Sequence, residues 1–293
     1  MNQAILLGSV ERQSELQRHT IAENLPTHAL SVDVEDWYHD DGARPALASA
    51  ERVERNTDLL LEIFASHAAR ATFFFLGEVA ERYPALVRRV HAAGHEIGSH
   101  GYRHRRVMEM TRGELRDDVQ RSLHVIEDAV GVAVAGYRAP YFSIKADVRW
   151  PIEILADLGV RYDTSILAID RPPGLELVCP RTPFRHPNGL LEVPVAVLQM
   201  LHFWYLPLAS GSGLRLLPWS LFQQCLQRFE ADIGAGVFYM HPWELDPASP
   251  TAPGFGRWVI RAGRSILAER LHRLLALRRF RPIGSVFAET ASG

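Results

Sequence analysis

The sequence predicts an α/β fold in which parallel strands, seven by count, close into a barrel. Three observations carry that expectation. Short β-rich runs alternate with helical stretches along most of the chain, the pattern of strand–crossover–strand units. No glycine-rich dinucleotide or phosphate loop follows any strand, since Gly211-Ser212-Gly213 is too short and follows the wrong element. Finally, Asp33, His100, Arg138, Asp163 and His241 stand at or just beyond the C-terminal ends of five different strands. An open sheet gathers ligands at one switch point, whereas a barrel lets many strand ends converge on one mouth.

Taken in order, residues 1–25 are polar, lack a clear period and end at Pro26, so they read as an N-terminal extension. The strand runs are ALSVDV (29–34), ATFFFL (71–76), HEIGS (95–99), VAGYR (134–138), VRYDTS (160–165), LLEVPV (190–195) and GVFYMH (236–241). Helix patterns fill 50–68, 79–93, 111–130, 146–158 and 218–232. Gly94 follows the second of these, where a left-handed cap is expected. The barrel should span 26–245. Residues 246–293 begin with a Pro-rich turn and continue as WVIRAGRSILAERLHRLLALRRF, amphipathic and Arg-rich. They read as a short C-terminal helical extension packed across the barrel, with membrane-peripheral contact as the alternative.

Composition excludes several classes. A 293-residue chain with a net charge of −2 offers no basic surface for nucleic acid. Lys145 is the only lysine among 32 basic residues, which reads as compositional bias of the source. Cys179 and Cys225 match no metal or redox spacing. The N-terminus lacks the charged start, apolar stretch and cleavage site of a secretory signal, so a cytoplasmic location is expected. The most apolar window, Val193 to Ala209, is broken by Pro194, Gln199, His202 and Pro207, which argues against a membrane span.

Four constellations could carry chemistry. His100 and His104 form an H-x3-H pair, and a helical segment would bring both imidazoles to one ion. His95-Glu96 resembles the start of a zinc-protease motif, but the next histidine falls at the wrong offset. SVDVEDW supplies Asp33, Glu35 and Asp36, and period-two alternation puts Asp33 and Glu35 on one strand face. Two histidines and one carboxylate with an open position form a catalytic zinc or iron arrangement. Arg138 can pair with a carboxylate. His241 closes the last apolar strand where a general acid would sit, or it is a buried structural histidine.

In this order, SVDVED, ATFFFLGEVAERYPALVRRVHAAGHEIGSHGYRH, GYRAPYFS, YDTS and FYMH resemble the polysaccharide deacetylase family, carbohydrate esterase family 4, over roughly residues 28–245. The resemblance implies a distorted parallel barrel and a hydrolase that removes N-acetyl groups from a polysaccharide. It further implies a divalent metal, zinc above others, on His100 and His104. Asp33 would be the base, Arg138 its holder and the backbone N–H of Tyr141 an oxyanion donor. His241 would be the acid, with Asp163 as its tuning partner.

Two departures matter. Most members begin Asp-Asp, whereas this chain has Asp-x-Glu-Asp, so the third ligand is Glu35 or Asp36, with Glu35 preferred for its strand face. The fourth motif is only partly present, as Asp163-Thr164-Ser165. The DVEDWYH start, the RLLP segment and HPWELD are similar to an exopolysaccharide-associated bacterial branch. An allantoinase-like amidase and a carbohydrate-binding pseudoenzyme are the competing readings.

Overall fold

Strand β1 (Thr27–Val34) is buried along nearly its whole length, as a central parallel strand must be when both faces are covered. The computed structural model describes residues 27–39, 52–145, 147–167, 180–195, 197–201, 204–206, 208–250 and 258–287; the expected N-terminal extension and Cys179 lie outside them.

After β1 come α1 (Val53–Ser66), β2 (Thr72–Phe75), α2 (Gly77–Arg82), α3 (Pro84–Ala92) and β3 (Glu96–Ser99). Then follow α4 (Arg112–Val130), β4 (Gly136–Tyr137), α5 (Trp150–Asp157) and β5 (Tyr162–Asp163). The second half holds β6 (Phe184–Arg185), β7 (Leu191–Glu192), β8 (Leu198–Leu201), β9 (Trp204–Leu206), α6 (Gly211–Leu216), α7 (Trp219–Ile233) and β10 (Val237–Met240). Last come α8 (Trp258–Arg261), α9 (Arg264–Leu277), β11 (Arg279–Arg281) and α10 (Ile283–Val286).

All seven expected strands are present. With β6 and β11 they form one curled, mostly parallel nine-stranded sheet in the order β10-β1-β2-β3-β4-β5-β7-β6, with β11 also pairing β1. The expected helix at 79–93 is instead two, broken before Pro84, because proline lacks an N–H and drives its predecessor out of the helical region; Tyr83 sits at φ −126°. Gly94 is left-handed as expected, at φ +81°. Helix α4 opens on a Thr111–Glu114 capping box and ends at the left-handed Gly131. No helix among the described residues is long and apolar enough to cross a membrane.

Register decides which side chains reach the barrel interior. Asp33, Phe74, Gly98, Gly136, Tyr162 and Leu191 align across six strands. The two glycines make room for rings: a Cβ on Gly98 would lie 2.4 Å from Phe74, and one on Gly136 2.2 Å from Tyr162. One residue along, Val34, Phe75, Ser99, Tyr137, Asp163 and Glu192 form a second row on the opposite face, towards the helices.

The C-terminal segment contains the expected helix, α9, which buries Leu267, Leu271 and Leu274. It also does something the periodicity did not announce. β11 pairs with Thr27–Ala29 at the start of β1. Ile283 and Phe287 then join Ala29, Phe74, Tyr162 and Leu191 in one apolar cluster. The Ile283 N–H donates to the Thr72 hydroxyl (2.8 Å), and that of Gly284 to Glu96 (3.1 Å). The N-terminal end of the barrel is thus packed by the end of the chain.

One part-buried link ties these parts together. Glu230 on α7 accepts from Arg278 at the head of β11 through both oxygens, at 2.5 and 2.9 Å. It also accepts from His28 Nε2 at 3.0 Å. His28 Nδ1 accepts the Gly236 N–H, so Nε2 carries the donated hydrogen. Burial alone would raise the Glu230 carboxyl, but the bonds from His28 and Arg278 outweigh it and hold it down at about 2. Stability from a depressed carboxylate is present above its unfolded pKa and lost as pH falls through the folded one. Glu230→Gln should therefore cost about 1–3 kcal/mol at pH 7. It should also flatten the loss of stability between pH 4.5 and 2, as read by denaturant titrations across that window.

Candidate active site

The mouth of the barrel is built where β1, β3, β4 and β10 end. Arg138, immediately after β4, has no exposed surface, and a buried guanidinium must be paired. Its Nη1 donates to Asp33 Oδ1 at 2.7 Å and to Ser31 Oγ at 2.8 Å. Its plane lies over the Phe74 ring at 4.5 Å, and its other nitrogens reach the carbonyl and hydroxyl of Thr164. Asp33 Oδ2 is left facing His241 Nε2 at 4.0 Å.

His100 and His104 do converge, but not on a helix. The segment is a turn, with Gly101 at φ +73° and His104 at φ +54°. Both rings are oriented by carbonyls, His100 Nδ1 by that of Arg138 (2.8 Å) and His104 Nδ1 by that of His39 (3.0 Å). A carbonyl only accepts, so each Nδ1 carries a hydrogen, and His104 Nε2 is turned towards Glu35. Burial pushes His100 down to about 4, so its ring stays neutral.

Glu35 completes the set. One ligand atom each from Glu35, His100 and His104 lies within 4.8 Å of the others. Glu35 Oε2 is buried with no hydrogen donor and stands 2.8 Å from His104 Nε2. The group offers two imidazole nitrogens and a carboxylate oxygen, a donor set that suits a divalent metal. Burial would raise the Glu35 carboxyl, but His104, His241 and His100 together hold it below the usual carboxylate range.

Asp36, the other candidate ligand, has a different job. Its carboxylate accepts the backbone N–H groups of Trp37, Arg52 and Val53. It therefore caps the N-terminus of α1, where the local residue, Arg52, supplies no side-chain cap.

His241 follows β10 and stacks on Trp243 with rings 5.0 Å apart. Its Nδ1 contacts Glu244 Oε1 at 3.0 Å, and Glu244 Oε2 accepts from Arg215 Nε at 3.0 Å. Burial would lower the imidazole, but the Glu244 bond and the charges of Glu35, Glu244 and Asp33 raise it to about 10. Asp163 was the expected tuning partner, and the structure corrects this. Asp163 lies on the opposite sheet face from Asp33 and accepts from Ser165 at 2.5 Å. Glu244 and Arg215 do the holding instead. Both escaped the sequence reading, although the H-x-x-E spacing of His241 and Glu244 is that of a capping box.

Tyr141 follows Arg138-Ala139-Pro140 at φ +58°, and Phe142 follows at +48°. The Tyr141 hydroxyl donates to the His39 carbonyl at 3.1 Å, and the Arg106 guanidinium covers its ring at 3.9 Å. The strained backbone at Tyr141 is thus pinned from both sides of the side chain.

The polysaccharide deacetylase family matches residues 38–162, and a domain of unknown function, DUF3473, matches 164–288. The chain is 27% identical over 187 residues to a peptidoglycan-N-acetylglucosamine deacetylase of Bacillus cereus, covering 59% of this chain and 65% of that one. It is 31% identical over 134 residues to a peptidoglycan deacetylase of Helicobacter pylori, covering 46% and 43%. It spans less than two thirds of either relative. Among solved structures, a Mycobacterium smegmatis protein assigned to the polysaccharide deacetylases superposes with a TM-score of 0.63 at 21% identity, covering 91% of this chain and 90% of that one. The fold is that of the polysaccharide deacetylases. The sequence match to that family is confined to residues 38–162, less than half of the chain.

The two carboxylates of the Glu35-Asp36 pair are separable by experiment. Glu35→Ala should abolish stoichiometric binding of a divalent metal. Asp36→Ala should keep the metal and lose about 1–2 kcal/mol of stability, as for other helix caps. Metal titration with parallel denaturation reads both, and metal loss in Asp36→Ala would return Asp36 to the ligand set.

Proposed function

We propose that this chain is a metal-dependent deacetylase that hydrolyses N-acetyl groups on a polysaccharide, a bacterial cell-wall glycan or exopolysaccharide. The observation that carries the reading is the grouping of Glu35, His100 and His104 beside Asp33 and His241, two proton-transfer groups separated by 4.0 Å. Glu35, His100 and His104 would hold the cation, and zinc suits their nitrogen and oxygen donors. When bound, such a cation supplies Lewis acidity towards a carbonyl oxygen and towards water.

The protein's own groups divide the remaining work. Asp33 Oδ2 takes a proton from the attacking water, while Arg138 holds Oδ1 and fixes which oxygen is available. The Tyr141 backbone N–H donates to the oxygen of the tetrahedral carbon, and loss of one such donor costs other hydrolases about 2.7–4 kcal/mol. An amine departs only after protonation. His241 Nε2 faces the same space, and its Nδ1 is tied to Glu244, so the proton on Nε2 points towards the leaving nitrogen. The named activities of the peptidoglycan deacetylases above support a glycan substrate. An allantoinase-like amidase would use the same groups on a small cyclic amide.

Product assays on acetylated chito-oligosaccharides and on small cyclic amides test the substrate class, and turnover of the cyclic amide alone would replace the glycan reading. Asp33→Asn should retain metal and lose about 10²–10⁴ in kcat; joint loss of metal would make Asp33 a ligand. His241→Ala should slow amide hydrolysis far more than hydrolysis of an activated aryl acetate, whose leaving oxide needs no proton. Equal losses on the two substrates would reduce His241 to a wall of the pocket.

A further inference from the structure

Asp163, Thr164 and Ser165 leave β5 beside the turn that carries Arg138 and Tyr141. Thr164 points inward and holds the Arg138 guanidinium through its carbonyl and hydroxyl. Ser165 points outward with Asp163, and its Oγ accepts the backbone N–H of Ala139 at 2.7 Å. Having accepted there, the Ser165 hydroxyl donates to Asp163 Oδ1 at 2.5 Å. The other Asp163 oxygen is buried with no hydrogen donor. It lies on the ladder beside Glu192, within hydrogen-bonding reach of that carboxyl. Glu192 in turn accepts the Ile166 N–H at 3.2 Å and approaches His186 at 3.4 Å. Both acids are fully buried.

Two adjacent buried carboxylates without a donor between them must share a proton. Burial raises both carboxyls above their ordinary range, and the charge of Glu192 raises Asp163 further, so the pair keeps a proton. With one proton in the pair, every group in the row Ala139–Ser165–Asp163–Glu192–Ile166 has a partner of the right polarity.

We propose that the Asp163–Glu192 acid pair, acting through Ser165, is a positioning device that sets the backbone of the Arg138–Tyr141 turn. That turn holds three parts of the site at once. The Arg138 carbonyl orients His100, the guanidinium orients Asp33, and the backbone two residues beyond Ala139 presents the Tyr141 N–H. Asp163 and Glu192 touch neither substrate nor metal ligands; they act by fixing where the turn sits. The kinetic consequence rests on the deacetylase reading, whereas the structural one does not.

The pair makes an unusual demand of its variants. Asp163→Asn replaces the shared proton by an amide N–H, so it should keep kcat within about threefold of wild type. Asp163→Ala and Ser165→Ala leave the Ala139 N–H without its oriented acceptor and should lower kcat about 10–100-fold with KM nearly unchanged. Amide hydrogen exchange over residues 136–142, read by mass spectrometry on the metal-loaded full chain, should quicken in both Ala variants and not in Asp163→Asn. Should Asp163→Ala fail to fold, Ser165→Ala and Asp163→Asn still decide the matter. Loss of turnover in Asp163→Asn with wild-type exchange would mean that an ionised Asp163 enters the reaction, which overturns the proposal. So would unchanged exchange in Ser165→Ala. The expected exchange pattern in a chain that deacetylates nothing would sustain the positioning role and remove the deacetylase reading instead.

Discussion

The mouth of this barrel is organised around a buried guanidinium. Arg138 cannot be left without counter-charge at zero exposure, and the cost of burying it is offset only if its donors are nearly all used. Ser31, Asp33 and Thr164 use them. Because a planar fork fixes the direction of each bond, the orientation of Asp33 is dictated by a residue on a strand three places along the sheet. The same residue's carbonyl sets the tautomer of His100. Side chain and backbone of one arginine therefore orient both the Asp33 carboxylate and the His100 imidazole.

The boundary between the two matched segments, at residues 162 and 164, falls within a continuous sheet. β7, β10 and β11 all come from the second segment, and β10 and β11 both flank β1. His241, Glu244, Arg215 and Glu192 lie there too, whereas Glu35, His100, His104 and Arg138 precede it. A segment that supplies the strands at both ends of the sheet, a candidate acid with its holder and the packing of the barrel floor cannot be an appendage. In this chain the DUF3473 segment is the second half of the barrel.

What the sequence made legible was short-range. Seven strands, the Gly94 cap and the pairing of His100 with His104 follow from periodicity, one left-handed glycine and motif spacing. What the sequence left open or misread depended mostly on partners far along the chain. Asp36 caps a helix that begins 17 residues later, a distance at which spacing says nothing. Asp163 was placed at the correct strand end, but its face depends on inter-strand register, and a shift of one residue inverts it. The H-x3-H pair suggested a helix because four residues is the helical interval. The chain achieves the same convergence with two left-handed residues, at Gly101 and His104.

Those left-handed residues point to the last constraint. Four non-glycine residues with positive φ are found among the described residues, and three of them, His104, Tyr141 and Phe142, lie at the mouth. Each such conformation costs on the order of 1–3 kcal/mol and persists only where its surroundings over-determine it. Two of the three are tied to one atom: the His39 carbonyl accepts from His104 Nδ1 and from the Tyr141 hydroxyl. His39 is itself clamped. Its Nδ1 accepts the Asp36 N–H, which leaves Nε2–H for Glu78 at 3.2 Å. The run Asp36-Trp37-Tyr38-His39 that follows Glu35 is thus a rigid bracket. It links the helix cap to His104 and to the turn that carries Tyr141. The Glu35 carboxylate, the His104 imidazole and the Tyr141 turn share that bracket, so their mutual distances are set by the fold before any substrate arrives, which is the preorganisation that the proposed hydrolysis would require.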